Sequence, residues 1–325
     1  MEMTTAGSDI VLLVSDNVWQ REGTNITSFA PGITPIIYEG EEPIADDILA
    51  NVNVAFFSSD VWPERSRGMV LSIMKSTNVK WLHTFSAGVD SPFFIQLMEN
   101  GVRLTNSSGA TASPIAQTAI LYMLSLSRNT RAWFRHQDKH EWERHSFDEL
   151  DGSRLAVIGL GPIGLEIARL GVALNMEVEG IRRTPLGNEP CPTFGFDSLN
   201  EVLGRADWVA CALPLTPDTK DLFDEARFAA FKKGARFINV GRGELVTETA
   251  LVAALQSGHL SGAGLDVFAT EPLPEDSPLW DFDNVIITPH SSGASSTSGL
   301  RAEKIFVENL RRYINNEPMR NEVNL

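Results

Sequence analysis

From end to end, short runs rich in Val, Ile and Leu alternate with longer stretches of helical periodicity. That alternation is the pattern of a parallel sheet whose two faces are both covered by helices, so the class is α/β. Strand candidates in the first third are Asp9 to Val14, Thr34 to Tyr38, Val54 to Ser58, Lys80 to Phe85 and Val102 to Thr105. A second series runs Leu155 to Ile158, Glu177 to Ile181, Trp208 to Ala212, Ala235 to Val240, Ala263 to Val267 and Asn284 to Thr288. Six strands suffice for a full doubly wound sheet. Between the series, Ser113 to Arg128 is apolar on most faces with a Ser-Pro start, which reads as a buried connecting helix. Ser295 to Asn315 carries Leu300, Ile305, Phe306, Leu310 and Tyr313 between charges and reads as a helix returning to the first domain. The expected division is a discontinuous first domain, residues 1–105 with 295–325, and a second domain, 106–294. At 325 residues both are long enough for a core of their own.

Composition narrows the partners. The formal charge of −15 argues against a nucleic-acid face or an anionic membrane surface. No apolar run approaches the roughly 18 residues of a membrane span. Met1 to Asp9 has neither the basic nor the apolar region of a signal peptide. The only cysteines, Cys191 and Cys211, make no metal or redox spacing, so a reducing cytoplasm is expected.

Gly159-Leu160-Gly161-Pro162-Ile163-Gly164 directly follows the strand Leu155 to Ile158 and opens a helical pattern. In this context the first glycine permits a tight turn, the second admits a pyrophosphate to the backbone, and the third lets helix and strand approach closely. The helix N-terminus then holds the anion. An acid normally stands about 20 residues on to bind the ribose of NAD. Here the place is taken by Arg182, with Arg183 and Thr184 following. Two guanidinium groups and a hydroxyl suit a 2′-phosphate, so NADP(H) is the expected cofactor, with NAD(H) the less favoured partner.

Three later strands each end in a residue able to do chemistry: Asn239-Val240-Gly241-Arg242-Gly243, Leu265-Asp266-Val267-Phe268 with Glu271-Pro272 beyond, and Thr288-Pro289-His290. Ligand crevices of open α/β sheets lie at the carboxyl ends of strands, so all three should face one site.

In the order and spacing of these motifs the sequence resembles the D-isomer-specific 2-hydroxyacid dehydrogenases over nearly its whole length. The resemblance implies two Rossmann-like domains, a doubly wound cofactor domain and a smaller flavodoxin-like substrate domain. It implies that Arg242 clamps a substrate carboxylate and polarises the keto oxygen, that His290 exchanges the proton, and that Glu271 orients His290. These roles suit the residue types: a guanidinium fork fits a carboxylate beside a carbonyl, and a ketone receiving hydride needs a proton donor. By the same resemblance Asp266 would contact the nicotinamide carboxamide, Leu213 and Pro214 would line the adenosine pocket, and Ser86-Ala87-Gly88-Val89-Asp90 would be the substrate loop, with the N–H groups of Ala87 and Gly88 meeting the carboxylate. Ala87 stands where phosphite dehydrogenases carry lysine, and Glu271 where formate dehydrogenases carry glutamine, so neither relative fits. Gln117 departs from the family's Ala-Glu. The function implied is NADPH-dependent reduction of a small 2-keto acid, glyoxylate or hydroxypyruvate first, by a homodimer. A 3-phosphoglycerate-type dehydrogenase is less favoured because many append a regulatory domain. A nucleotide-sensing corepressor of the same fold would not need Arg242, Glu271 and His290 together.

His136, His140 and His145 resemble the start of a zinc-protease motif, but their helical spacing makes them diverge, and a solvated helix is expected instead of a metal site. Trp142 reads first as a packing residue, and second as an aromatic reaching a partner subunit. Cys211 reads as a small apolar residue.

Overall fold

The computed structural model describes residues 9–323; Met1 to Ser8, most of the stretch read for a leader, lie outside them. The chain divides into two compact units, residues 1–111 with 295–325, and 112–294.

In the first unit β1 (Val11–Ser15), β2 (Thr34–Tyr38), β3 (Val54–Phe57), β4 (Trp81–Thr84) and β5 (Arg103–Asn106) are parallel, in the order β5-β4-β3-β1-β2. This is the flavodoxin-like arrangement. β3 and β4 are buried at every position, as expected of strands covered on both faces. The Ser298–Ile314 helix belongs to this unit because its apolar stripe is the missing half of one core layer. Phe306 stacks on Phe56 with centroids 4.4 Å apart and on Trp81 at 5.7 Å, while Tyr313 adds a second face to Trp81 at 5.0 Å.

In the second unit β6 (Arg154–Ile158), β7 (Glu177–Ile181), β8 (Thr193–Phe194), β9 (Trp208–Cys211), β10 (Ala235–Asn239), β11 (Leu260–Leu265) and β12 (Val285–Ile287) form a parallel sheet in the order β12-β11-β10-β9-β6-β7-β8. Strand order reverses between β6 and β9, the switch point of a doubly wound sheet. The Ala112–Arg128 helix covers one face, with Ala116, Ala119 and Tyr122 in the core, and Phe223, Phe228, Phe231 and Phe237 cluster on the other. Both sheets confirm the α/β class.

Two strands were not expected, β8 at one edge and a terminal β13 (Glu322–Val323) that pairs antiparallel with β5. The region after Arg128 also differs. A helix spans Thr130–Asp138 and stops there, His140 taking a left-handed φ of +57°. With the helix ended, the rings of His136 and His145 stand 5.0 Å apart instead of diverging, and His136 Nδ1 pairs with Glu141 at 2.8 Å. Trp142 is 93% exposed, which overturns its reading as a packing residue. Among the described residues no helix is long and apolar enough to cross a membrane.

Candidate active site

The carboxyl edge of the second sheet gathers the chemistry. In register, Asn239 of β10 faces Leu265 of β11, which faces Ile287 of β12. Asp266 follows Leu265 directly, while Arg242 and His290 each lie three residues past the end of their own strand. The three therefore leave one edge at nearly one level.

What lets these loops stack is missing side chains. Gly159, after β6, has φ +98°, and a Cβ there would come 2.9 Å from the Ala212 carbonyl oxygen after β9. One built at Gly241, after β10, would lie 2.7 Å from the Leu213 carbonyl oxygen, and one at Gly243 only 1.8 Å from the Phe268 carbonyl carbon after β11. The backbones of four neighbouring loops thus rest against one another. Asn239, 1% exposed, fixes the third: its Nδ2 donates to the Arg242 carbonyl at 2.9 Å and its Oδ1 accepts from the Gly241 N–H at 3.1 Å. Arg242, half-buried, is in turn steadied by donation from Nη1 to the Gly241 carbonyl at 2.9 Å.

His290 Nδ1 lies 2.8 Å from Glu271 Oε2, and Glu271 Oε1 accepts from the Phe268 N–H at 3.0 Å. A carboxylate can only accept, so Nδ1 carries the proton and Nε2 is the atom left for proton exchange. The imidazole is half-exposed, open to a ligand.

Asp266 sits at the base of the His290 loop. It is 1% exposed, and its carboxylate accepts from the Thr288 hydroxyl at 2.5 Å, the Ser291 N–H at 2.9 Å, the Ser292 N–H at 3.1 Å and the Ser292 hydroxyl. What it holds in this structure is the loop that carries His290.

The Gly159–Gly164 turn fits a dinucleotide. Gly161 precedes the Pro162–Ala173 helix, whose first turn no side chain caps, and a Cβ on Gly161 would meet nothing within 4 Å, so space lies open at a ring of helix N–H donors. A Cβ on Gly164 would fall 1.8 Å from the Gly159 carbonyl oxygen, the close contact expected of the third glycine. Arg182 follows β7 and donates from Nη1 to Glu189 Oε1 at 3.1 Å. Glu189 is an acid that the sequence reading passed over. Its carboxyl is held below the usual range, first by the Leu186 N–H, and Gly187 N–H and Arg182 add to it. Arg183 and Thr184 are exposed, with Arg183 3.6 Å from Asp218.

In the first unit, the Ser86–Gly88 segment follows β4. Its carbonyls are tied back: Ser86 O accepts from Ser107 N–H at 3.1 Å, Ala87 O from Asn106 Nδ2 at 2.8 Å and Gly88 O from the Ser86 hydroxyl at 2.8 Å. Among the described residues nothing accepts from the Ala87 and Gly88 N–H groups. Beneath the loop, His83 is fully buried between Thr105 Oγ1 at 2.6 Å and Ser107 Oγ at 3.0 Å, and burial pushes its imidazole down to about 3. Among the described residues no cluster of three His, Cys, Asp or Glu could hold a metal.

A doubly wound dinucleotide sheet with an acid-supported histidine at its carboxyl edge defines an oxidoreductase architecture. The family described as "D-isomer specific 2-hydroxyacid dehydrogenase, NAD binding domain" matches residues 120–292. A glyoxylate/hydroxypyruvate reductase B from Citrobacter koseri is 34% identical over 257 residues, 77% of this chain and 79% of that protein. A D-3-phosphoglycerate dehydrogenase from Methanocaldococcus jannaschii is 33% identical over 258 residues, 78% of this chain but only 49% of that protein, so the chain spans about half the length of that relative. A crystal structure of a D-isomer specific 2-hydroxyacid dehydrogenase from Xanthobacter autotrophicus in complex with NADPH and MES superposes with a TM-score of 0.76 at 30% identity, covering 97% of this chain and 98% of that one. The chain belongs to the D-isomer specific 2-hydroxyacid dehydrogenase family.

Three residues that hold this edge together were not singled out in the sequence. Asn239 stands at a strand end, Tyr122 lies in the apolar connecting helix, and Thr288 directly precedes Pro289-His290.

Proposed function

We propose that the protein reduces a small 2-keto acid to the D-2-hydroxy acid with NADPH. The observation that carries this reading is the His290–Glu271 pair at 2.8 Å on the sheet edge that also presents Arg242. When bound, the reduced nicotinamide supplies the hydride. The chain's own residues do the rest. The N–H groups of Ile163 and Gly164 and the open space at Gly161 hold the pyrophosphate, with Gly159 and Pro162 shaping the turn, and Leu213 and Pro214 line the adenosine side. Arg242 binds the carboxylate and draws charge onto the keto oxygen. In the first unit, the N–H groups of Ala87 and Gly88 are donors suited to a carboxylate. His290 delivers the proton from Nε2 while Glu271, paired with Nδ1, keeps the ring oriented. Asp266 acts through the His290 loop.

Arg182, Arg183 and Thr184 favour NADP(H) over NAD(H), in keeping with the NADPH held by the Xanthobacter relative. The name of the Citrobacter relative puts glyoxylate and hydroxypyruvate first among substrates, and that of the Methanocaldococcus relative keeps 3-phosphohydroxypyruvate second. A second copy of the chain is the expected partner: Trp133, Phe134 and Trp142 all expose aromatic surface on the segment after the connecting helix. The test is oxidation of NADPH and NADH with a keto-acid panel that includes those three. Turnover of at least one supports the reading, and silence across the panel, with cofactor still bound, moves the assignment to a nucleotide-sensing protein.

A further inference from the structure

We propose that Tyr122 is a positioning residue for His290, acting through Thr288 and Asp266; the inference rests on the reading of His290 as the acid/base group. Tyr122 lies in the Ala112–Arg128 helix, 1% exposed, within an apolar layer. Room for its ring comes from Gly264 on β11, where a Cβ would stand 2.6 Å from both Cβ and Cγ of Tyr122. The sheet gives up a side chain to admit this ring. Packing alone would be served by phenylalanine, and a phenol in such surroundings is costly unless its hydroxyl is paired.

The hydroxyl is paired, with Thr288 Oγ1. Thr288 has one proton, which it donates to Asp266 Oδ1 at 2.5 Å, so Tyr122 is the donor and the order runs Tyr122 to Thr288 to Asp266. Burial pushes the phenol far above its ordinary range, which keeps that proton in place. Asp266 then gathers the N–H groups of Ser291 and Ser292 and the Ser292 hydroxyl, while its own carbonyl accepts the His290 N–H at 2.8 Å. His290 sits inside this enclosure with φ +51°, a conformation disfavoured for a residue with a side chain and held here by fixed neighbours on both sides. Removing the phenol oxygen frees Thr288, loosens the grip of Asp266 and lets the imidazole wander from Glu271.

Tyr122→Phe, which keeps the ring, Thr288→Val and Thr288→Ser test this in the full chain by two independent readings. The first is hydrogen–deuterium exchange of the Ser291 and Ser292 amides, which needs no turnover. Tyr122→Phe and Thr288→Val should each speed it about tenfold, with the rest of the second unit unchanged. The second is kinetic: both should lower kcat about tenfold with KM and the NADPH Kd within about twofold, and Thr288→Ser should keep at least about half of kcat. In a His290→Ala background Tyr122→Phe should cost nothing further. Unchanged amide exchange, or an undiminished penalty without His290, overturns the proposal. Wild-type protein that binds NADPH but turns over no keto acid defeats the catalytic reading alone, and the amide result still judges the relay.

Discussion

One carboxylate holds two things at once: Glu271 Oε2 pairs with His290 Nδ1 at 2.8 Å while Oε1 accepts the Phe268 N–H at 3.0 Å. The ring's support is thereby anchored to the backbone just beyond β11. In Glu271→Gln an amide oxygen can keep the Phe268 bond, but the amide nitrogen then faces Nδ1 as a donor, so the Nδ1–H bond that orients the ring is lost. The expected outcome is a loss of about 100-fold in kcat/KM with near-native stability, and His290→Asn should lose about 1,000-fold or more. Steady-state kinetics beside a thermal melt check both, and a Glu271→Gln enzyme of unimpaired rate would remove the support role.

Arg242 should not be replaceable by lysine. A point-like ammonium cannot span a carboxylate and a neighbouring keto oxygen as a planar fork does. Arg242→Lys is expected to raise KM for the keto acid and cut kcat/KM about 100-fold, with cofactor Kd unchanged, as read by kinetics and fluorescence titration with NADPH.

Arg182 should set cofactor choice. It already spends one N–H on Glu189 at 3.1 Å, and its remaining donors are those free for a 2′-phosphate. A hydrogen bond to a charged group contributes about 1.5–3 kcal/mol, so Arg182→Ala should lower the ratio of kcat/KM for NADPH over NADH about 10- to 100-fold. A ratio that does not move would assign the arginine to the loop alone.

His83 makes the first unit acid-sensitive. Burial holds its imidazole near 3, against 6.5 when unfolded. Above pH 6.5 it is neutral in both states and its contribution is whole. As pH falls below 6.5 the unfolded chain takes up a proton that the folded one refuses, and stability drops by about 1.4 kcal/mol per pH unit until roughly pH 3. Between pH 7 and 5 the wild type should therefore lose about 2 kcal/mol more than His83→Gln in urea unfolding. Parallel losses would contradict it.

Much of this architecture is written locally. The runs Thr34–Tyr38 and Glu177–Ile181 are read to the residue because their apolar patterning alone specifies a strand. β8 and β13, two residues each, have no periodicity to read and exist only through distant partners, β13 by pairing with β5 and by the Arg103–Glu322 ion pair at 2.7 Å. The helix end at Asp138 is silent too, since His140 takes a left-handed conformation with no glycine to announce it. At the candidate site, the placement of Arg242 and His290 just beyond strand ends could be read from the sequence. The bonds of Tyr122 and Glu189 could not, because their partners lie 166 and 7 residues away and only folding brings the first pair together.

The glycines at 159, 241 and 243 carry a lesson for anyone wishing to retarget this enzyme. Where main chain leans on main chain there is no slack to absorb a new side chain, so libraries aimed at those loops will mostly return unfolded protein. Variation has to be sought at side chains that do not bear on a neighbouring loop.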